Sequence, residues 1–278
     1  MDNNINNEIM QCVTGALFSP VDVRDYRLAC AMSDSDFPEE FELKMPKVKY
    51  QGGVGSCVAH SIASTVEYFN IAQNNDNTVM STNYIYGNRT DMNYDGKGMY
   101  TRKAVANTCK YGDVTEAEFP GNTEVPDVIE KFENQKYTLY DSGRPHRFSS
   151  YYSVKTKNEI KTALMQNGPV VFAMDWYDDI TVQNGIIQTQ QQGDCGGHCM
   201  VIYGWNKDGW KILNSWGSKW GNKGTAILPY DIKIREAYGI VDNIINEVDV
   251  VKPYSGKIGD IVAKILNFIL NFIKKYVR

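Results

Sequence analysis

"YQGGVGSCVAHSIAS", residues 50–64, is the stretch on which the reading of this chain turns. Glycines at 52, 53 and 55 make a tight loop, and the apolar positions that follow (58, 59, 62, 63, 66 and 69) form the stripe of a helix buried on one face. The pattern predicts a helix running from Cys57 to Asn70. Cys57 therefore stands at a helix N-terminus, where unpaired N–H groups and the positive end of the helix dipole favour a thiolate. Gln51, six residues upstream, is a neutral amide donor. Its side chain and the Cys57 backbone N–H could together hold an oxyanion. The competing reading is a small structural thiol buried behind a turn.

A cysteine nucleophile needs a base, and the chain has three histidines, at 60, 146 and 198. His60 shares the Cys57 helix and would point along its surface. His146 falls in a polar loop. His198 follows "GDCGG" and opens the apolar run "CMVIYGW", so a rigid strand should hold its ring. Sixteen residues on, "LNSWGSKWG" places Asn214 on the next strand of a hairpin. There it can accept from the ring and fix its tautomer, with Trp216 shielding that bond from water. "CGGHC" (195–199) has too few ligands for a metal site, and metal binding by His198 would compete with its use as a base, so no metal and no cofactor is expected. Cys195 and Cys199 could pair or remain thiols.

The chain's 278 residues fit one large domain with extensions or two small lobes. It is 42% hydrophobic and 12% aromatic, enough for a sizeable core. A net charge of −4 and the lack of a basic stripe with interleaved aromatics speak against nucleic-acid binding. The polar, acidic start "MDNNINNEIMQCVTGALF" does not read as a secretory signal, which leaves a cytoplasmic protein or release by another route. Six scattered cysteines do not form a disulfide scaffold for this length and suit a reducing compartment.

The first half reads as helical, with further helices over 98–113 and 157–168, the second stopped by Gly168-Pro169. The second half is a series of short β-branched and aromatic runs, "PVVFAMDW", "GIIQTQ", "HCMVIYGW", "GWKILNSW" and "GTAILPY", which predict mostly antiparallel strands. The fold class is therefore α+β, with a helical lobe about 50–150, a β lobe about 151–245, and a cleft between them. Residues 1–36 form an extended, propeptide-like leader and 246–256 a polar linker. Residues 257–278 form an amphipathic helix, where five basic residues against Asp260 give a net charge of +4. That helix suits an oligomer contact or a membrane surface.

Taken together, "Q-GGVGS-C-VAHS", "GGHCMVIYGW" and "ILNSWGSKWGNKG" resemble the papain family of cysteine peptidases in order and approximate spacing, over residues 37 to 241. The short leader "SPVDVRDYRL" is similar to that of the xylellain-like bacterial and viral branch. The resemblance implies a two-lobe fold whose second lobe is barrel-like, and an endopeptidase acting on protein or peptide substrates. It implies Cys57 as nucleophile, His198 as base and acid, Asn214 as the orienting residue and Gln51 as oxyanion donor. It further implies Gly96 and Gly98 of "DGKGMY" as a glycine strip on the non-prime side of the cleft, and Trp216 on the prime side. Asp175 at the cleft edge is a candidate substrate contact. Where many relatives have cysteine, aromatic and Phe residues, this chain has Val54, Val58 and His60, so one common disulfide cannot form and packing must hold the site. Rival readings are a peptidoglycan amidase or other Cys–His acyl transferase, and a non-catalytic binding protein on a peptidase fold.

Overall fold

In the computed structural model the described residues are 13–20, 22, 26–27, 32–89 and 97–242. A unit boundary falls after Asn243, so the expected linker and C-terminal helix lie outside the described residues, as does Gly96. The apolar stripe after Cys57 becomes the long helix α1 (Cys57–Asn74), and Asn75 ends it in a left-handed conformation, a common helix stop. The short helices α2 (Thr82–Gly87) and α3 (Thr101–Tyr111) pack against it, with α4 (Asp127–Glu133) on α2 and α5 (Lys136–Gly143) on α3. The helix expected over 98–113 begins only at Thr101, because Met99–Tyr100 are taken as strand β3. The helix expected over 157–168 is α6 (Lys157–Gln166), started by a capping box between Thr156 and Glu159.

Two short strands lie early in the chain, β1 (Ala16–Leu17) and β2 (Phe41–Glu42). The rest make the large sheet: β4 (Ser150–Ser153), β5 (Val170–Tyr177), β6 (Thr181–Gln183), β7 (Ile186–Gln188), β8 (Cys195–Trp205), β9 (Gly209–Leu213), β10 (Thr225–Pro229) and β11 (Ile234–Val241). Its order is β4-β11-β5-β8-β9-β10-β7-β6, with β2 joined to β8. The pairing is antiparallel except between β7 and β10. The sheet follows an open path, so the barrel-like lobe expected from sequence is an open, strongly paired sheet without closure.

Alternation along the two central strands divides the interior. On β5, Val171 and Ala173 face the helical core built around α1, whereas Val170, Phe172 and Met174 face a second core under the sheet. On β8, Cys199 faces the helical core, and Met200 and Ile202 face the second. The start of β8, where His198 sits, is thus the seam between the two cores.

Candidate active site

The loop before α1 is shaped around the Gln51 side chain. Gly52 turns with φ +57, and Gln51 Nε2 donates to Val54 O at 2.9 Å from inside the loop. Ser215 Oγ donates to Gln51 Oε1 at 2.6 Å, which fixes the amide so that Nε2 is the donor. Residues 49–51 run antiparallel to 215–217, with Gln51 N on Ser215 O at 2.9 Å and Gly217 N on Lys49 O at 2.9 Å. Lys49 also reaches the buried Glu67 of α1 at 2.6 Å. Gln51, the start of α1 and the loop after Asn214 are therefore tied into one frame.

His198 enters from β8, fully buried and opposite Met174 of β5. Its Nε2 meets Asn214 Oδ1 at 2.8 Å, just past the end of β9. Trp216 lies against the His198 ring at 4.7 Å and Trp176 at 5.1 Å, so the bond is shut off from solvent. His198 Nδ1 is buried with no hydrogen-bond partner. The Cys57 sulfur accepts from the backbone N–H of Cys199, the residue after His198. The structure thus brings Cys57, His198, Asn214 and Gln51 to one place.

Cys57 is wholly concealed, and what conceals it is the chain's own N-terminal segment. Val13 O accepts from Gln51 Nε2 at 2.8 Å, and the Gly15 N–H points to the Cys57 sulfur and to Gly197 O at 3.0 Å. Gly15 O takes Met99 N at 2.9 Å, and β1 pairs with β3 in parallel. Ser19 N then meets Glu236 Oε2 at 3.1 Å. The floor under this segment is glycine. A Cβ at Gly98 would come within 2.4 Å of Gly15 O, and one at Gly197 within 1.9 Å of Ala16 O. Gly98 thus lies directly under Gly15. Asp175 stands opposite Gly197, but its carboxylate is engaged by Arg235 at 2.8 and 3.0 Å, and the Arg235 guanidinium covers the Phe18 ring.

The electrostatics follow from that cover. Burial pushes the Cys57 thiol up to about 11, offset in part by the N–H groups of Cys199, Gly15, Val58 and Cys57 itself. Burial pushes His198 down to about 4 against the pull of Asn214. With the segment in place the pair is a neutral thiol and a neutral imidazole. His60 is likewise buried and pushed down to about 4 by burial, and its Nδ1 lies 2.9 Å from Ser56 O, so it braces the helix start. His146, in its polar loop, has its Nδ1 3.2 Å from Asn70 Oδ1. Cys195 and Cys199 are both free thiols. Sequence reasoning passed over two contributors: Ser215, whose signal was its place in "NSWG", and Gly15, whose partners are all remote in sequence.

Residues 34–246 match the profile of the papain family cysteine proteases. The chain is 29% identical to an uncharacterised peptidase C1-like protein of Acanthamoeba polyphaga mimivirus, over 72% of each. It is 27% identical to a viral cathepsin of Adoxophyes honmai nucleopolyhedrovirus, over 75% of this chain and 59% of that one. Among solved structures, xylellain, a cysteine protease from Xylella fastidiosa, superposes with a TM-score of 0.71 at 23% identity, over 83% of this chain and 96% of that one. Procathepsin L 3 of Tenebrio molitor larval midgut gives 0.64 at 21% identity, over 85% and 79%. These likenesses favour the peptidase reading over the amidase and binding-protein readings, and the chain belongs to the papain family of cysteine proteases.

Proposed function

We propose that the protein is an endopeptidase in which Cys57 is the nucleophile, His198 the base and acid, Asn214 the residue that orients His198, and Gln51 with the Cys57 N–H the oxyanion site. The observation that carries this reading is the His198–Asn214 bond at 2.8 Å. It occupies Nε2 and leaves Nδ1 as a buried nitrogen without a partner, on the strand whose next N–H touches the Cys57 sulfur. The sulfur gives its proton to Nδ1 and attacks the peptide carbonyl carbon, whose oxygen becomes the oxyanion held by Gln51. The carbonyl reforms as the C–N bond breaks, and His198 passes the proton to the departing amine. Water then gives a proton to His198 and attacks the thioester, and the released sulfur takes that proton back. The test is hydrolysis of a peptidyl coumarin amide together with stoichiometric labelling by an epoxysuccinyl inhibitor. Both should vanish in Cys57→Ala, and a folded protein that shows neither, as the full chain and as a chain beginning at Phe37, would overturn the reading.

Residues 1–36 are proposed to restrain this activity. Support comes from Val13–Ser19, which lies where a substrate backbone would have to lie, with a peptide carbonyl on Gln51 and a peptide N–H on the sulfur. A chain beginning at Phe37 should hydrolyse the coumarin amide at least tenfold faster than the full chain, and equal rates would refute the restraint.

A further inference from the structure

We infer that the enzyme selects substrates carrying acidic side chains on the residues that follow the scissile bond, and that Lys44, Lys47, Lys219 and Lys223 read them. The inference rests on the proposed peptidase function and adds its substrate class.

The cleft has two arms. The Gly98–Gly197 arm is filled by Val13–Ser19. On the other side Trp216, packed on His198, is the wall of a cavity of about 840 Å³ that continues past Gly217 and Tyr50. The leaving amine takes its proton from His198, so the residues after the scissile bond start out along the Trp216 wall. The cavity floor is apolar, with Leu43, Val48 and Leu213, but its charged lining is almost of one sign. Lys44, Lys47, Lys219 and Lys223 all line it and all have exposed side chains. Among the described residues the sole carboxylate in that lining is Glu42, which is taken by Lys211 at 2.6 Å.

This concentration of cations sits on a chain whose net charge is −4, so it is a local arrangement and not a general basicity. Lys223 adds an independent sign. Its backbone has φ +55, a conformation that costs a lysine free energy and that glycine or asparagine would adopt more readily. A side chain kept at a strained position beside a functional cleft points to a use for that side chain. An apolar floor ringed by ammonium groups suits an extended peptide whose backbone and aliphatic carbons rest on the floor while its carboxylates meet the rim.

The experiment uses the full chain and three internally quenched peptides, identical up to the scissile bond. The second and third residues beyond it are Asp-Glu, Asn-Gln or Lys-Lys. A coumarin amide with the same residues before the bond, and none after it, reports the peptidase activity separately. The expected order of kcat/KM is Asp-Glu over Asn-Gln over Lys-Lys, with about tenfold between the extremes at low salt, from two partly solvated charge contacts. Raising NaCl tenfold should shrink that ratio toward one, because exposed charges are screened. In K47E/K223E, which sets two lysines against two glutamates in the lining, the Asp-Glu to Lys-Lys ratio should fall to about one. The ratio within one preparation is independent of how much active enzyme it holds, and the salt response of the wild type provides a second readout if the variant folds poorly. Equal rates for the three peptides with intact amide hydrolysis would overturn the inference and leave the peptidase reading standing. Absence of amide hydrolysis both in the full chain and in a chain beginning at Phe37 would overturn both.

Discussion

Gly15→Ala is the substitution that most directly separates a restraining segment from a passive one. A Cβ on Gly15 would stand 2.0 Å from Gly55 O and 2.5 Å from Gly55 C, both backbone atoms of the loop that builds the site. Neither can swing aside as a side chain would, so the segment must lift by more than an ångström. That shift breaks the bonds from Gly15 N to Gly197 O at 3.0 Å and from Met99 N to Gly15 O at 2.9 Å. Two such bonds contribute about 1 kcal/mol each, and residual overpacking adds about 1 kcal/mol more. A change of about 3 kcal/mol raises the uncovered population roughly 100-fold. The assay is alkylation of the full-length chain by iodoacetamide near neutral pH, with the modified peptides quantified by mass spectrometry. Cys57 should react about 100-fold faster in Gly15→Ala than in wild type. Exposed Cys195 is the internal standard, and buried Cys199, remaining unmodified, shows that the body is still folded. A Cys57 rate within twofold of wild type would refute the claim that this glycine seats the segment over the sulfur.

Three other outcomes follow from the same geometry. Gln51→Glu puts an acceptor where Nε2 now donates to Val13 O at 2.8 Å, so kcat should fall by about 10²–10³ while alkylation of Cys57, which develops no oxyanion, is retained. Asn214→Ala removes the 2.8 Å bond that fixes the His198 ring, and the loss of about 1.5–3 kcal/mol should lower kcat about 10- to 100-fold with little change in KM. His60 and His198 are both buried and pushed from 6.5 down to about 4, so an unfolded chain binds protons in that window that the folded chain does not. Stability should therefore be full above pH 6.5 and fall by about 3 kcal/mol per histidine as pH drops to 4, measured as urea midpoints across that range. At the other end Cys57 is raised to about 11, so its contribution is present below pH 9 and is lost as pH rises through 11. A flat profile between pH 6.5 and 4 would contradict the burial of the two rings.

What was legible in the sequence was what local pattern and motif order could carry. The helix after Cys57 was readable because its apolar stripe repeats at helical spacing, and only its end, Asn74 instead of Asn70, was misplaced. His198 and Asn214 were readable because β8 and β9 are consecutive antiparallel strands, so their ends meet. The short helices Thr82–Gly87, Asp127–Glu133 and Lys136–Gly143 were not, because at six to eight residues their burial rests on tertiary packing and leaves little periodicity. The seating of Val13–Ser19 was invisible for a different reason. Its contacts with Gly55, Gly98, Gly197 and Glu236 are almost all backbone to backbone and distant in sequence, and glycine writes no side-chain pattern for such an approach.

The geometry also explains how a peptide can lie across a cysteine peptidase cleft without being a substrate. In the proposed mechanism attack needs a carbonyl carbon in front of the sulfur and that same carbonyl's oxygen on the Gln51 amide. In Val13–Ser19 these two requirements fall on different peptide groups. The oxygen on Gln51 belongs to Val13, whereas the group facing the sulfur is the N–H of Gly15. The sulfur therefore meets a donor where it would need an electrophile. The parallel course of β1 against β3 holds that phase along the glycine floor, since the register Ala16 to Met99 and Leu17 to Tyr100 sets which group lies over Cys57. A floor made of backbone recognises any extended chain, so strand direction and register, not side-chain identity, decide whether the occupant is held or cut. Side-chain selection must then come from elsewhere in the cleft. The lysine-lined arm beyond Trp216, which Val13–Ser19 leaves uncovered, is where this chain has the charge to supply it.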